Sequence, residues 1–347
     1  MSELTDILDA IEALAARGEP MALATSVATR GSTYRRAGAR LLVPAEGQPI
    51  GNISGGCLEG DVARSGREVI VEGTPRTVSF DLSADDDAVW GYGLGCNGSF
   101  ELYVEPTAGV REAAAALRAA LGGEPTVLST VIAGLRIGTR WTGTDGAAGA
   151  ALRDGTPRME AVSGERIFHE PMLPPLHLVV CSAGHDAIPL VRQAAELGWR
   201  VTVADVRRQL LTADRFPGAD HFVDADPERA AEATAPDART AVVLMSHNYL
   251  RDIAYLRAFL DAPLAYLGAL GPRGRTEQML AEIGRPETIE RVHAPAGLDI
   301  GAEGPEEVAR AIVAEILAVT RSRSGGPLRA RRGPIHATES VDQSTRS

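Results

Sequence analysis

From residue 176 to residue 317 short strand-like runs of three to six residues alternate with amphipathic stretches of helical spacing, and this regularity leaves few possible folds. Strands are predicted over 176–181, 200–205, 221–223, 241–245 and 264–267, and helices over 187–197, 250–260, 276–283 and 305–317. Pro305 opens the last helix, where its missing N–H is no loss. Short apolar strands that alternate with helices of this length predict a mostly parallel sheet covered on both faces, a Rossmann-like doubly wound domain. A chain of 347 residues exceeds one typical domain and suits two.

The first half reads as a compact α+β domain over residues 1–168. Strands are predicted over 21–30, 39–44, 76–82, 100–105 and 126–133, and helices over 57–71 and 110–121. Ahead of them Leu4, Ile7, Leu8, Ile11 and Leu14 mark one face of an amphipathic helix that Ser2 can cap. Residues 169–175 hold three prolines in a short space, which suits neither a helix nor a central strand, and predict an interdomain linker. The Rossmann-like domain then covers 176–320. Arg, Ser, Gly and Pro dominate 321–347 without periodicity, which predicts a disordered tail.

Composition excludes several classes. No apolar run approaches the ~20 residues of a membrane span, and the first twenty residues lack the basic and unbroken apolar regions of an export signal. The expected location is the cytoplasm. The formal net charge of −11 repels phosphates and excludes nucleic acid as a partner. All 35 basic residues are arginine, so neither a lysine-bearing phosphate loop nor Schiff-base chemistry is available. Three scattered cysteines, Cys57, Cys96 and Cys181, form no disulfide framework and no closely spaced zinc pair.

Three loops of the first half could carry chemistry. In the first, Ser54 can cap a helix while Gly55 and Gly56 admit a ligand close to the backbone. Cys57 then falls in the first helical turn, where the helix dipole favours a thiolate suited to act as soft ligand or nucleophile; a small residue packed at a tight helix start is the alternative. The second loop, residues 91–98, has four glycines in eight positions and carries Gly95 and Cys96. Close approach to a bulky ligand would justify that backbone entropy, and a bulged turn is the alternative. In the third, residues 30–38, Arg30, Arg35 and Arg36 accompany Gly31, Ser32 and Thr33, a set suited to a phosphate or a pterin-like anion and equally to an ordinary basic loop. Soft sulfur beside phosphate-binding groups suits a sulfur-ligated metal carried on a phosphorylated organic cofactor.

In the second half, Ser182, Gly184 and His185 occupy the first strand-to-helix turn, where dinucleotide folds place their glycine fingerprint. Asp205 ends the next strand at the spacing of an acid that binds ribose. Ser182 replaces the first glycine, so the fingerprint is damaged, and a purely structural domain is the alternative. Cys181 lies inside a strand and reads as core. His247 and Asp252 follow a strand's C-terminal end, as a ligand site or as a hydrogen-bonded turn.

Taken together, these stretches resemble the xanthine dehydrogenase accessory family of XdhC/CoxI type. The matching residues are Arg30, Gly31 and Ser32 with Gly38 to Arg40, Ser54 to Glu59 around Cys57, Gly93 to Cys96, Gly184 with His185, His247 with Asp252, and Gly297 to Gly301 before Pro305. The resemblance implies a chaperone that turns nothing over. It would bind the molybdenum cofactor (molybdopterin), assist its sulfuration by a cysteine desulfurase, and pass it to a molybdenum hydroxylase client of the xanthine or carbon monoxide dehydrogenase type. It implies that Cys57 and Cys96 contact the cofactor and its molybdenum, with Arg30, Gly31, Ser32, Ser54, Gly55, Gly56, Glu59 and Gly95 around them. Gly184 and His185 are the matching positions of the second domain, to which the spacing argument adds Asp205 as a candidate cofactor-binding residue. A chaperone of this kind often pairs into a homodimer, and no residue decides that point. Two alternatives use the Rossmann-like domain: an NAD(P)-dependent oxidoreductase, or a nucleotide-sensing regulator that never touches molybdenum.

Overall fold

A computed structural model describes residues 3–31, 33–81 and 98–330, and the chain divides between Pro174 and Pro175 into two compact units. The first unit is built on two antiparallel sheets. Helix α1 (Glu3–Ala16) leads into β1 (Met21–Gly31), β2 (Arg40–Pro44) and β3 (Ile50–Gly51), followed by α2 (Glu59–Glu72), β4 (Arg76–Asp81), β5 (Gly98–Pro106) and α3 (Thr107–Gly122). These strands form one five-stranded sheet in the order β3-β2-β1-β5-β4. Next come β6 (Thr126–Ala133), β7 (Arg140–Gly143), α4 (Gly146–Asp154), β8 (Arg158–Val162) and β9 (Glu165–Met172), whose strands pair as β7-β6-β9-β8.

Side-chain alternation decides which face meets which layer. Ala22, Ala24, Leu41, Val43, Leu102 and Val104 point to α2 and pack on Leu58, Val62 and Val69. Met21, Leu23 and Leu42 point the other way, where Ile7, Leu8, Ile11 and Leu14 of α1 meet Val110 and Leu117 of α3. The predicted α1 face is therefore the one that is buried; Ser2 lies outside the described residues.

The predicted linker is largely a strand. Phe168, His169, Glu170, Pro171 and Met172 belong to β9, between β6 and β8, and the unit boundary falls after them. Pro171 is tolerated because β8 ends opposite His169, so on that flank no ladder partner remains to be lost. The polar residues of this stretch are buried because each has a partner. Ser129 Oγ lies 2.8 Å from His169 Nδ1, Glu160 Oε2 lies 3.0 Å from its Nε2, and Glu170 pairs with Arg40.

The second unit follows the predicted alternation. Strands β10 (His177–Cys181), β11 (Arg200–Ala204), β12 (His221–Val223), β13 (Thr240–Leu244) and β14 (Tyr266–Ala269) form an all-parallel sheet in the order β12-β11-β10-β13-β14. Helices α5 (Ala187–Glu196), α6 (Ala230–Thr234), α7 (Tyr249–Phe259), α8 (Arg273–Ile283) and α9 (Pro305–Thr320) connect and follow them. Leu178 and Val180 face α5 and α9, while Val179 and Cys181 face α7 and α8, so β10 is buried on both sides. Cys181 is core as expected, and burial pushes its thiol well above the ordinary range. The order of strands reverses between β10 and β13, which makes the crevice beyond their C-terminal ends the topological switch point. Of the predicted tail, Leu328–Ala330 form one 3-10 turn, and residues 331–347 lie outside the described residues. Among the described residues no helix is long and apolar enough to cross a membrane.

Candidate functional site

Strand pairing brings two of the loops singled out by sequence, residues 33–38 and 52–58, to one end of the five-stranded sheet. Strand β1 ends at Gly31, which pairs with Gly98, the last residue of the glycine-rich stretch. Strand β2 begins at Arg40, beside Thr25 of β1, and Leu41 pairs with Gly51, from which the Cys57 loop departs. Gly51 has φ +103°, and a Cβ there would lie 2.5 Å from the Arg40 carbonyl and 2.8 Å from Ile7 Cδ1, so only glycine admits this departure. Ser32, Gly95 and Cys96 lie outside the described residues.

Within residues 52–58 one carboxylate organises the backbone. Glu59 Oε1 accepts from the N–H groups of Ile53 (3.0 Å) and Ser54 (2.8 Å), while Oε2 accepts from the Ser54 hydroxyl (2.5 Å) and from the N–H of Gly56 (2.9 Å). Burial pushes the Glu59 carboxyl up, yet the bonds from Ser54 and the backbone outweigh it and hold the group below the ordinary carboxylate range. Glu59 thus fills the amide nest that a bound anion would otherwise occupy.

The expected helix start needs correction. Helix α2 opens at Glu59, so Cys57 lies ahead of the first turn rather than in it. Ser54 does not cap α2 directly; its Oγ accepts from Leu58 N at 2.7 Å, one turn early. The glutamate and serine have taken the loop amides, so the loop is held by its own side chains. Cys57 is left half-buried beside Gly55 and Gly56, and nothing lies within 4 Å of a Cβ built on Gly56.

Residues 33–38 meet this loop. The Tyr34 ring, 64% exposed, lies 3.4 Å from a Cβ position at Gly55, so the two loops touch face to face. Sequence reasoning misses Tyr34, since an aromatic between arginines carries no periodic signal. Of the three expected guanidiniums, Arg30 is exposed at the end of β1 and Arg35 is engaged with Glu3 at 2.5 Å. Arg35, Arg36, Gly38, Arg40, Glu3 and Glu170 all line a cleft of about 420 Å³, within the size range of small-molecule sites.

In the second unit Gly184 and His185 sit on the turn between β10 and α5, with His185 exposed. Asp205 is 2% exposed, and its Oδ2 accepts from the Ala183 N–H at 2.7 Å. Arg207 donates to Asp205 through its backbone N (2.8 Å), Nε (2.9 Å) and Nη2 (2.7 Å). Burial raises the Asp205 carboxyl, and these bonds, led by Arg207, bring it below the ordinary range. His247 and Asp252 do not pair with each other. His247 Nε2 lies 2.5 Å from Asp186 Oδ2, while Asp252 is buried against Ser246 and Arg275. Among the described residues no group of three His, Cys, Asp or Glu side chains could hold a metal ion.

A half-buried thiol on a glycine-flanked loop that meets an arginine-bearing loop, in a chain whose second unit is Rossmann-like, defines a two-unit α/β protein with a candidate site at the loop end of its first unit. The chain belongs to the XdhC and CoxI family. Residues 14–81 match the model of the XdhC and CoxI family, and residues 178–316 match that of the XdhC Rossmann domain. A relative from Bacillus subtilis (strain 168), described as a probable xanthine dehydrogenase subunit, is 33% identical over 329 residues, spanning 90% of this chain and 97% of that protein. The molybdenum cofactor insertion chaperone PaoD of Escherichia coli (strain K12) is 26% identical over 324 residues, spanning 89% and 86%. A crystal structure described as a xanthine dehydrogenase from Bacillus halodurans superposes with a TM-score of 0.76 at 29% identity and covers 95% of this chain and 99% of that one.

Proposed function

We propose that this protein is a maturation chaperone that holds the molybdenum cofactor at the loop end of its first unit and delivers it to a molybdoenzyme. The observation that carries the reading is the meeting of the Cys57 loop with the arginine-bearing loop through Tyr34 and Gly55. Family membership and the likeness to a cofactor insertion chaperone support it.

The residues present fit such a group. Cys57 offers soft sulfur of the kind that suits molybdenum, and the open space at Gly56 lets a bulky ligand reach it. Exposed Arg30 can pair with a phosphate, and the adjoining cleft of about 420 Å³ has room for a flat organic ring. When bound, the cofactor supplies the metal and its sulfur ligands. The protein's part is to hold and shield it: Glu59 and Ser54 fix the loop so that the thiol is presented without rearrangement. Cys96, two residues before Gly98 in sequence, is the second sulfur we assign to this role, with Gly31, Ser32 and Gly95 in the surrounding backbone. The finer proposals are that a cysteine desulfurase supplies sulfur to the held cofactor, that the client is a molybdenum hydroxylase, and that the exchange occurs in the cytoplasm between a homodimer and its partners.

The test is the molybdenum and pterin content of protein purified from a cofactor-competent host, for the native chain beside Cys57→Ala and Cys96→Ala. Near-stoichiometric cofactor that falls by about tenfold or more in a variant, a loss of about 1.4 kcal/mol of binding, supports the reading. A native chain without cofactor, in a host that loads other molybdoproteins, overturns it.

A further inference from the structure

A fold of the second unit's type implies a dinucleotide, and the requirements of that ligand are definite. The turn after the first strand must offer free backbone N–H groups to the pyrophosphate, the start of the following helix must welcome negative charge, and the acid that ends the second strand must be free to accept ribose hydroxyls.

Each of these places is filled by the protein itself. Ser182, in the position of the first glycine, accepts the Gly184 N–H at 2.9 Å, and Asp205 accepts the neighbouring Ala183 N–H, so two amides of the turn are already spent. Asp205 is buried and clamped by three donors of Arg207, which leaves no lone pair presented for a ribose diol. Asp186, directly ahead of α5, puts a carboxylate where the pyrophosphate would lie, and His247 reaches across the switch point from the end of β13 to bind it. Arg215 closes a fourth side by donating to the Ala183 carbonyl at 3.2 Å.

We propose that the C-terminal unit has exchanged the dinucleotide site of its fold for a set of internal straps, with Ser182, Asp205–Arg207 and Asp186–His247 as the closing contacts, and that it binds neither NAD nor NADP. Arg207 is the residue that decides this at the ribose corner. Its side chain is about one-third exposed, so its removal uncovers Asp205 without opening the core. The inference concerns a different unit from the proposed cofactor site and stands or falls independently of it.

Calorimetric titration of the full-length native chain with NAD+, NADH and NADP+ tests the closure, and the same titration of Arg207→Ala and of Ser182→Gly/Arg207→Ala tests the straps. No saturable binding by the native chain is expected below about 1 mM ligand. The double variant should gain NAD+ affinity by about tenfold or more, to a Kd near or below 100 μM, roughly 1.4 kcal/mol. Micromolar binding by the native chain would overturn the proposal. So would the absence of any gain in variants whose circular dichroism and thermal midpoint match the native chain. The single variant, altered only at a partly exposed side chain, keeps the comparison open should the double variant fold poorly.

Discussion

The Arg40 guanidinium meets the Glu170 carboxylate through both terminal nitrogens, and this buried pair joins the two sheets of the first unit across 130 residues of sequence. Arg140 and Glu105 form a second buried pair between the same sheets. For Glu105 burial dominates and raises the carboxyl despite Arg140. Removing one partner strands the other charge in a low-dielectric interior, whereas removing both leaves only a packing problem.

Glu170→Ala is accordingly expected to destabilise the first unit by about 3–5 kcal/mol. The double replacement Arg40→Met/Glu170→Leu should recover most of that loss. Urea unfolding of the three chains measures it. A single variant within about 1 kcal/mol of the native chain, taken as the usual scale of an exposed pair, would show that the charges are solvated rather than buried.

Glu59→Gln keeps the shape of the loop clamp and removes its charge. The Glu59 pKa is lowered in the folded state, so its contribution is fully present above the unfolded value of about 4.3 and is lost as pH falls through the lower folded value. The variant should therefore be less stable by about 1–2 kcal/mol at neutral pH, discounted for partial exposure. It should also lose the part of the acid-side decline that belongs to this group. Thermal midpoints between pH 3 and 7 follow both effects. An unchanged profile would mean that the amide bonds to Glu59 carry no net stability.

Gly66 lies inside α2, where alanine ordinarily stabilises a helix by about 1 kcal/mol. Here a Cβ would stand 3.0 Å from Val43 Cβ and Cγ2, and Val43 is fully buried and stiff at χ1. The contact should outweigh the propensity, so that Gly66→Ala destabilises by about 1–2 kcal/mol. A rise in the urea midpoint would show that the helix can lift from the sheet at little cost.

The parallel sheet was legible because its central strands β10 and β13 are runs buried on both faces, with Val179 and Val180 serving opposite layers. Of the four-stranded sheet only β6 was, expected over 126–133 and found at Thr126–Ala133. Trp141 and Thr142 of β7, and Arg158 and Met159 of β8, are partly open to solvent, and polar residues interrupt both strands, so neither shows an apolar run. Strand β9 hid behind His169, Glu170 and Pro171, whose burial depends on partners far away in the chain, a relation that local periodicity does not carry. The glycines around Cys57 announced a special backbone, but the occupant of its amides, Glu59, became visible only in three dimensions. Arg207, two residues past Asp205, offered a local hint that the acid was engaged; spacing alone suggested a ribose.

The pairing of Gly31 with Gly98 also fixes an order of events on the ribosome. The hairpin of β1 and β2 can close as soon as it emerges, but the second edge of β1 stays open until Gly98–Pro106 has been made. Met21 to Val27 are all buried in the finished unit, so that edge is a sticky strand in the nascent chain. The loops gathered at its far end gain their shared geometry only when the last neighbour arrives. A half-made chain thus has Cys57 but not the packed sheet that holds its loop against the neighbouring one.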